Sequence, residues 1–218
     1  MRVRELAVEG SFEFSIPRFP DDRGFFISPF LGSAFTETCG WAPFPLAQSS
    51  FSMSRAGVAR GMHYTATPPG NAKYVYCAHG KALDIVLDIR VGSPTFGRWD
   101  TVVLDPAEPR AVYFPVGVAH GFVAQTDDTI MTYLMTGEYV QENELALHLF
   151  DRELGLPVPA ESAPLLSERD RVAPTLAEAR SANLLPHYER CREIEAAFGA
   201  RSPHPPTMGT PQSRRRAS

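Results

Sequence analysis

The sequence predicts an all-β protein, a sandwich or jelly roll with short C-terminal helices. Three observations carry that prediction. Glycine (16) and proline (20) punctuate the 218-residue chain into short strand-like runs, about ten of them, a pattern that favours all-β over α/β. Several runs alternate apolar and polar residues, the period of a strand. Helical spacing becomes prominent only after Leu156. A chain of this length is enough for one good core.

The elements follow in order. Leu6-Ala7-Val8 and Phe12-Glu13-Phe14 are short alternating runs. Asp21-Asp22-Arg23-Gly24 is a turn, and Phe25-Phe26-Ile27 resumes a strand. Gly32 to Cys39 fits one short helix. Pro45 to Met53 is a strand that places Gln48, Ser50 and Ser52 on one face. Thr67 to Asn71 is a loop. Lys73 to Cys77 is a strand with Val75 and Cys77 alternating against Tyr74 and Tyr76. In Lys81 to Arg90, Leu83, Ile85, Leu87 and Ile89 fall on one face and Asp84, Val86 and Asp88 on the other, the clearest amphipathic strand in the chain. Gly92-Ser93-Pro94 is a turn. Arg98 to Leu104, Ala111 to Phe114, Gly121 to Ala124 and Thr129 to Leu134 are four further strands. Pro174 suits the first turn of a helix reaching about Asn183. A second helix follows Pro186, with Cys191, Ile194 and Phe198 at helical spacing to pack on a sheet. Residues 1–200 are therefore expected to form one domain, and residues 201–218, Pro-rich, basic and poor in apolar residues, a disordered tail.

Composition narrows the function. A net charge of -4 invites neither nucleic acid nor anionic membrane, so any anionic ligand needs a local cationic site. No apolar run approaches the roughly 20 residues of a membrane span, and the N-terminus lacks the apolar core of a signal peptide. Cys39, Cys77 and Cys191 are odd in number and far apart, with no metal spacing, which fits a reducing cytoplasm.

The chemistry gathers around Val58 to Tyr64. Arg60, Gly61 and His63 sit together in a strand-like segment, and Lys73 opens the next strand. Arg60 and His63 are an odd step apart and would face opposite ways in a regular strand. A bulge at Gly61 would bring both inward. A histidine among cations keeps its neutral, basic form near neutral pH. A metal centre of the cupin type would want a His-x-His pair, a glutamate and a third histidine after Pro-x-Gly-x-x-His. Only the last is present, as Pro115 to His120, so no metal is expected.

Arg60-Gly61-Met62-His63-Tyr64, Lys73, Asp88-Ile89-Arg90, Gly92 to Gly97 and Ala119-His120-Gly121-Phe122, in one order, resemble the dTDP-4-dehydrorhamnose 3,5-epimerase family from about Phe12 to about Pro174. The resemblance implies a cupin-type jelly roll and a homodimer. It also implies no metal or cofactor, and a dTDP-4-keto-6-deoxy sugar as substrate. It carries over a base, His63, partnered by Asp170; an acid, Tyr133; and a lysine at the ketone, Lys73. Arg23, Arg60, His120 and Arg169 match substrate contacts, and Gln48, Tyr139 and Glu144 match positions near the nucleotide. Two departures fall in the ligand-binding set: Ser28 stands where the family often has glutamate, and Ser50 where it favours asparagine. The Tyr64 to Gly70 loop and the Leu176 to Ala179 helix resemble the antibiotic-deoxysugar branch. That branch implies epimerisation at C3 to the allo-configured 4-keto sugar. A 3,5-double epimerase, a 5-epimerase, a metal-dependent cupin enzyme and a non-catalytic sugar-nucleotide binding protein are the alternatives.

Overall fold

The protein is described by a computed structural model covering residues 1–40, 44–158 and 164–200; the expected tail, 201–218, lies outside the described residues. The strands are β1 Arg2–Glu5, β2 Phe12–Ser15, β3 Arg18–Asp21, β4 Gly24–Ile27, β5 Gln48–Ser54, β6 Ala59–Thr65, β7 Lys73–His79, β8 Ala82–Asp88, β9 Trp99–Leu104, β10 Arg110–Phe114, β11 Val118–Ala124, β12 Thr129–Met135 and β13 Glu144–Ala146. The helices are α1 Gly32–Cys39, α2 Glu168–Arg171, α3 Leu176–Ser181 and α4 Tyr188–Ala200.

Two antiparallel sheets form the sandwich. One has six strands in the order β1-β2-β10-β7-β12-β5, the other five in the order β13-β6-β11-β8-β9, and β3 and β4 make a separate hairpin. The core between the sheets draws Val75, Cys77, Val112, Phe114 and Met131 from the first, and Val86, Val102, Leu104, Val118 and Phe122 from the second. Each outer face is covered as well. Phe35 of α1 and Cys191, Ile194 and Phe198 of α4 pack with Phe14, Tyr74 and Tyr113 on the six-stranded sheet. Leu149, Leu154, Leu176 and Ala179 pack with Ile85, Leu87 and Ile89 on the five-stranded one. The expected α1 and the expected packing face of α4 are therefore both present. The α3 helix starts later than its proline, because Thr175 caps it: the Thr175 hydroxyl takes the Glu178 N–H, and Glu178 reaches back to the Thr175 N–H.

Three strand expectations need correction. The first strand is Arg2–Glu5 rather than Leu6 to Val8. Leu6 and Val8 are buried but lie in the connection, where the Leu6 N–H bonds Ser11 O and the Ser11 N–H bonds Val8 O. β1 itself is an exposed edge, paired to β2 and tied by Arg4 to Glu13 at 2.7 Å. His120 belongs to a strand, β11, which begins at Val118 rather than at Gly121. β8 is buried on both faces, so Asp84 and Asp88 lie inside. Helix and loop cover one of its faces and the opposite sheet covers the other. Alternation of residue type along a strand says nothing of what a third layer does. Asp88 is consumed in a buried network with Arg90, Ser93 and Thr95.

The expected irregularity at Gly61 is present. β6 and β11 pair His63 with His120 and Arg60 with Phe122, so three steps on β6 match two on β11. A Cβ on Gly61 would lie 2.5 Å from the Gly121 Cα and 2.9 Å from the His120 carbonyl oxygen, and its φ is +129°. Only glycine fits that approach and that conformation.

Candidate active site

One end of the sandwich stays open between the sheets. A cavity of about 330 Å³ is lined by Gln48, Ser50 and Ser52 of β5, Arg60 and His63 of β6, Lys73 of β7, His120 and Phe122 of β11, Tyr133 and Met135 of β12, and Tyr139, Glu144 and Arg169. Ten of the thirteen residues singled out in the sequence meet there. Arg60 and His63 both reach it, which the bulge at Gly61 permits. The alternation read in β5 also holds, with Gln48, Ser50 and Ser52 inward and Phe51 and Met53 outward.

Asp170 stands directly behind the cavity. It is buried in α2, whose N-cap Ser167 takes the Asp170 N–H, and its Oδ1 lies 2.7 Å from His63 Nε2. Arg169 Nη2 is 2.6 Å from the same nitrogen. Nε2 cannot donate to the carboxylate and accept from the guanidinium at once. Opposite charge favours donation to Asp170, leaving Nδ1, which has no hydrogen-bond partner among the described residues, to act on a ligand. Burial pulls the pKa of His63 below its ordinary 6.5; the bond and charge of Asp170 oppose this, and Arg169 and Lys73 reinforce it. Burial works to raise the Asp170 carboxyl, but His63, the Gly61 N–H and Ser167 together carry it below the ordinary value.

Lys73 is nearly enclosed and sits 3.7 Å from Glu144 Oε2, whose other oxygen takes the Thr65 hydroxyl at 2.8 Å. Burial lowers the Lys73 pKa while Glu144 holds it up. Tyr133 bonds Ser52 Oγ at 3.2 Å. Burial pushes its phenol up to about 12, helped by the charge of Asp84 and opposed by Ser52 and Arg60. Gln48 is a brace: its amide donates to Ser50 Oγ at 2.7 Å and its carbonyl takes the Tyr139 N–H at 2.7 Å. That leaves the half-exposed Tyr139 ring at the cavity mouth.

Arg23 and Ser28 are not brought to the cavity within one chain. Arg23 lies in the β3–β4 turn, 90% exposed and paired with Asp21 at 2.6 Å, and Ser28 follows β4. Ser52, Phe122 and Met135 line the cavity without having been singled out as site residues. For Ser52 the signal was available in the β5 alternation; for the two apolar residues none was. Among the described residues no three of His, Cys, Asp and Glu are grouped to hold a metal ion.

The lining brings Arg60, Lys73 and Arg169 to one cavity, which suits an anionic ligand. It also faces a histidine–aspartate pair on one sheet with a protonated phenol on the other, which suits moving a proton from one side of a bound carbon to the opposite side.

Comparison with known proteins agrees. A family model described as dTDP-4-dehydrorhamnose 3,5-epimerase matches residues 5–178. The chain is 43% identical over 211 residues to a dTDP-4-dehydrorhamnose 3-epimerase of Streptomyces niveus, covering 97% of this chain and 99% of that one. It resembles the structure of ChmJ, a 3'-monoepimerase from Streptomyces bikiniensis in complex with dTDP-quinovose. The TM-score is 0.84 with 40% identity, covering 89% of this chain and 98% of that one. It resembles the epimerase structure from Mycobacterium tuberculosis with a TM-score of 0.86 and 39% identity, covering 90% and 99%.

Proposed function

The chain belongs to the dTDP-4-dehydrorhamnose 3,5-epimerase family, and from that premise we propose that it inverts C3 of a dTDP-4-keto-6-deoxyhexose, giving the allo-configured ketone for deoxysugar biosynthesis. The observation that carries the epimerase reading is the position of His63–Asp170 and Tyr133 on facing sheets of one cavity, and the choice of C3 is supported by the likeness to 3-epimerases.

The C4 ketone acidifies the C–H bonds on C3 and C5. Epimerisation removes one such proton, holds the enolate, and returns a proton on the opposite face. His63, oriented by Asp170, takes the proton. Lys73 offers its ammonium to the developing enolate oxygen in a water-poor pocket, where a fixed charge acts strongly. Tyr133 returns the proton from the other sheet. Arg60 and Arg169 hold the diphosphate or nearby sugar oxygens, and Tyr139 stacks on thymine.

The number of carbons inverted depends on whether the sugar ring turns over after the first inversion, not on the base and acid themselves. With dTDP-4-keto-6-deoxyglucose in deuterium oxide, label is expected at C3 much faster than at C5, and the product retains its C5 configuration. NMR location of the label checks this. Equal labelling with accumulation of the rhamno-configured ketone would make the protein a double epimerase.

The protein acts as a homodimer in the cytoplasm. In support, edge strand β5 exposes Phe51 and Met53, 73% and 60% accessible, and the β3–β4 hairpin exposes Phe19, Phe25 and Phe26. Such apolar surface on a sheet edge and a projecting hairpin is what a partner covers. All three cysteines are free, and among the described residues no helix is long and apolar enough to cross a membrane. Light scattering should return twice the 24.0 kDa of one chain; a monomeric mass at working concentration would refute the dimer.

A further inference from the structure

A second histidine–aspartate pair lies in the same end of the sandwich, and the mechanism above leaves its aspartate unused. His120 Nε2 and Asp84 Oδ1 are 2.6 Å apart, with side-chain exposures of 6% and 0%. The two residues sit on neighbouring strands, where Phe122 pairs Asp84 and His120 pairs Val86. Their side chains therefore share the inward face with Ala82, Val86 and Phe122 of the inter-sheet core. The imidazole stacks on Phe114 with centroids 4.7 Å apart and meets the Tyr133 ring edge-on at 6.2 Å.

Asp84 is an expensive residue for this place. Its Oδ2 is buried with no hydrogen-bond partner among the described residues, and a carboxyl group among apolar side chains is a poor contributor to stability compared with a hydrophobic residue. A buried polar atom without a partner calls for a reason other than packing. Asp84 meets His120, and His120 meets the cavity. The other ring nitrogen, Nδ1, makes no hydrogen bond among the described residues and is not fully enclosed, and the ring lines the cavity.

We infer that Asp84 is a positioning residue: by accepting the Nε2–H of His120 it fixes the ring with Nδ1 turned to the cavity beside Tyr133, ready to accept a hydrogen bond from a hydroxyl of the sugar. The inference rests on the epimerase reading for the identity of the ligand. A carboxylate bonded to one nitrogen sets which nitrogen carries the proton and where the ring points. The hydroxyl so held restrains the sugar next to the acid. Asp84 thereby acts on the geometry of proton return without touching the reacting carbon.

The test uses full-length protein with 15N-labelled histidine, in wild-type, Asp84→Asn, Asp84→Ser, His120→Asn and Asp84→Asn/His120→Asn forms. Wild type should show His120 in the single Nε2–H tautomer. Each Asp84 variant should lose turnover in proportion to the fraction of ring leaving that tautomer, by about tenfold to a hundredfold at most, the usual effect of removing a group that orients a working histidine. The double variant should be no slower than His120→Asn alone, because Asp84 acts through the ring. Binding gives a readout that needs no turnover. Affinity for dTDP-glucose, which lacks the ketone, should fall about tenfold in Asp84→Asn, a hydrogen bond's worth, while affinity for dTDP stays at the wild-type value. An unchanged tautomer, wild-type turnover with an altered tautomer, or additive losses in the double variant would overturn the assignment. Should wild type fail to exchange label at all, the epimerase reading falls. Unchanged dTDP-glucose affinity in Asp84→Asn would then still overturn the positioning role, and weakened affinity with dTDP unaffected would still support it.

Discussion

Replacing His63 by alanine is expected to reduce deuterium wash-in at sugar C3 by on the order of 10² to 10⁴, the usual contribution of a general base, with dTDP affinity close to wild type. The expectation rests on geometry first. His63 is held by Asp170 at 2.7 Å and lines the same cavity as Lys73 and Tyr133. Gln48 and Tyr139, proposed to meet the nucleotide, are braced by each other rather than by His63, so the loss should fall on kcat rather than on binding. Full exchange in the variant would remove His63 from the role.

The pH dependence of the same group follows from its surroundings. Burial lowers the His63 pKa, with Arg169 and Lys73 acting in the same direction. The neutral base persists as pH falls through 6.5, and the acid limb of kcat/KM should lie below that value. Asp170 is the group that works to raise the His63 pKa. Asp170→Asn therefore removes an upward influence, and the acid limb should move further down even as the rate drops. A limb moving up, or a wild-type rate, would contradict the pairing. The basic limb belongs to Lys73, whose ammonium burial pulls below its ordinary 10.5, because the Tyr133 phenol is pushed up to about 12.

Much of this site was legible in the sequence because it is built by strands. Period two put Gln48, Ser50 and Ser52 on one wall, and a glycine between an arginine and a histidine announced the bulge that turns both inward. The Asp170 partnership had no local signal. It lies 107 residues from His63, on a one-turn helix, and came only from resemblance to a family motif. The burial of Asp84 was hidden for a related reason: alternation on β8 shows that Asp84 and Val86 share a face, but not that the opposite sheet covers it. Arg23 and Ser28 mark a different limit. A single chain places Arg23 in an exposed hairpin turn and Ser28 just after that hairpin, both away from the cavity, and no pattern within one chain says what would bring them to it.

Tyr133→Phe should separate two events that the wild-type enzyme couples. The ring packs against the inter-sheet core, and phenylalanine preserves that packing. What is lost is the hydroxyl and its 3.2 Å bond to Ser52, a modest change of about 1 kcal/mol in stability. Tyr133 is suited to be the acid because its phenol, pushed up to about 12 by burial, is never spent as phenolate at working pH. A carbanion beside a ketone is basic enough to take its proton all the same. Without it, His63 still removes the C3 proton and can return a solvent-derived deuteron to the face it came from. Wash-in with retention should therefore continue while inversion falls by on the order of 10² to 10⁴. The measurement is one reaction in deuterium oxide, following label at C3 and the configuration at C3 together. Inversion at the wild-type rate would move the acid role to water or another side chain. Parallel loss of exchange and inversion would show that the phenol is needed for the first proton transfer as well. In that case Lys73 alone does not hold the enolate, and the Tyr133 hydroxyl shares that task.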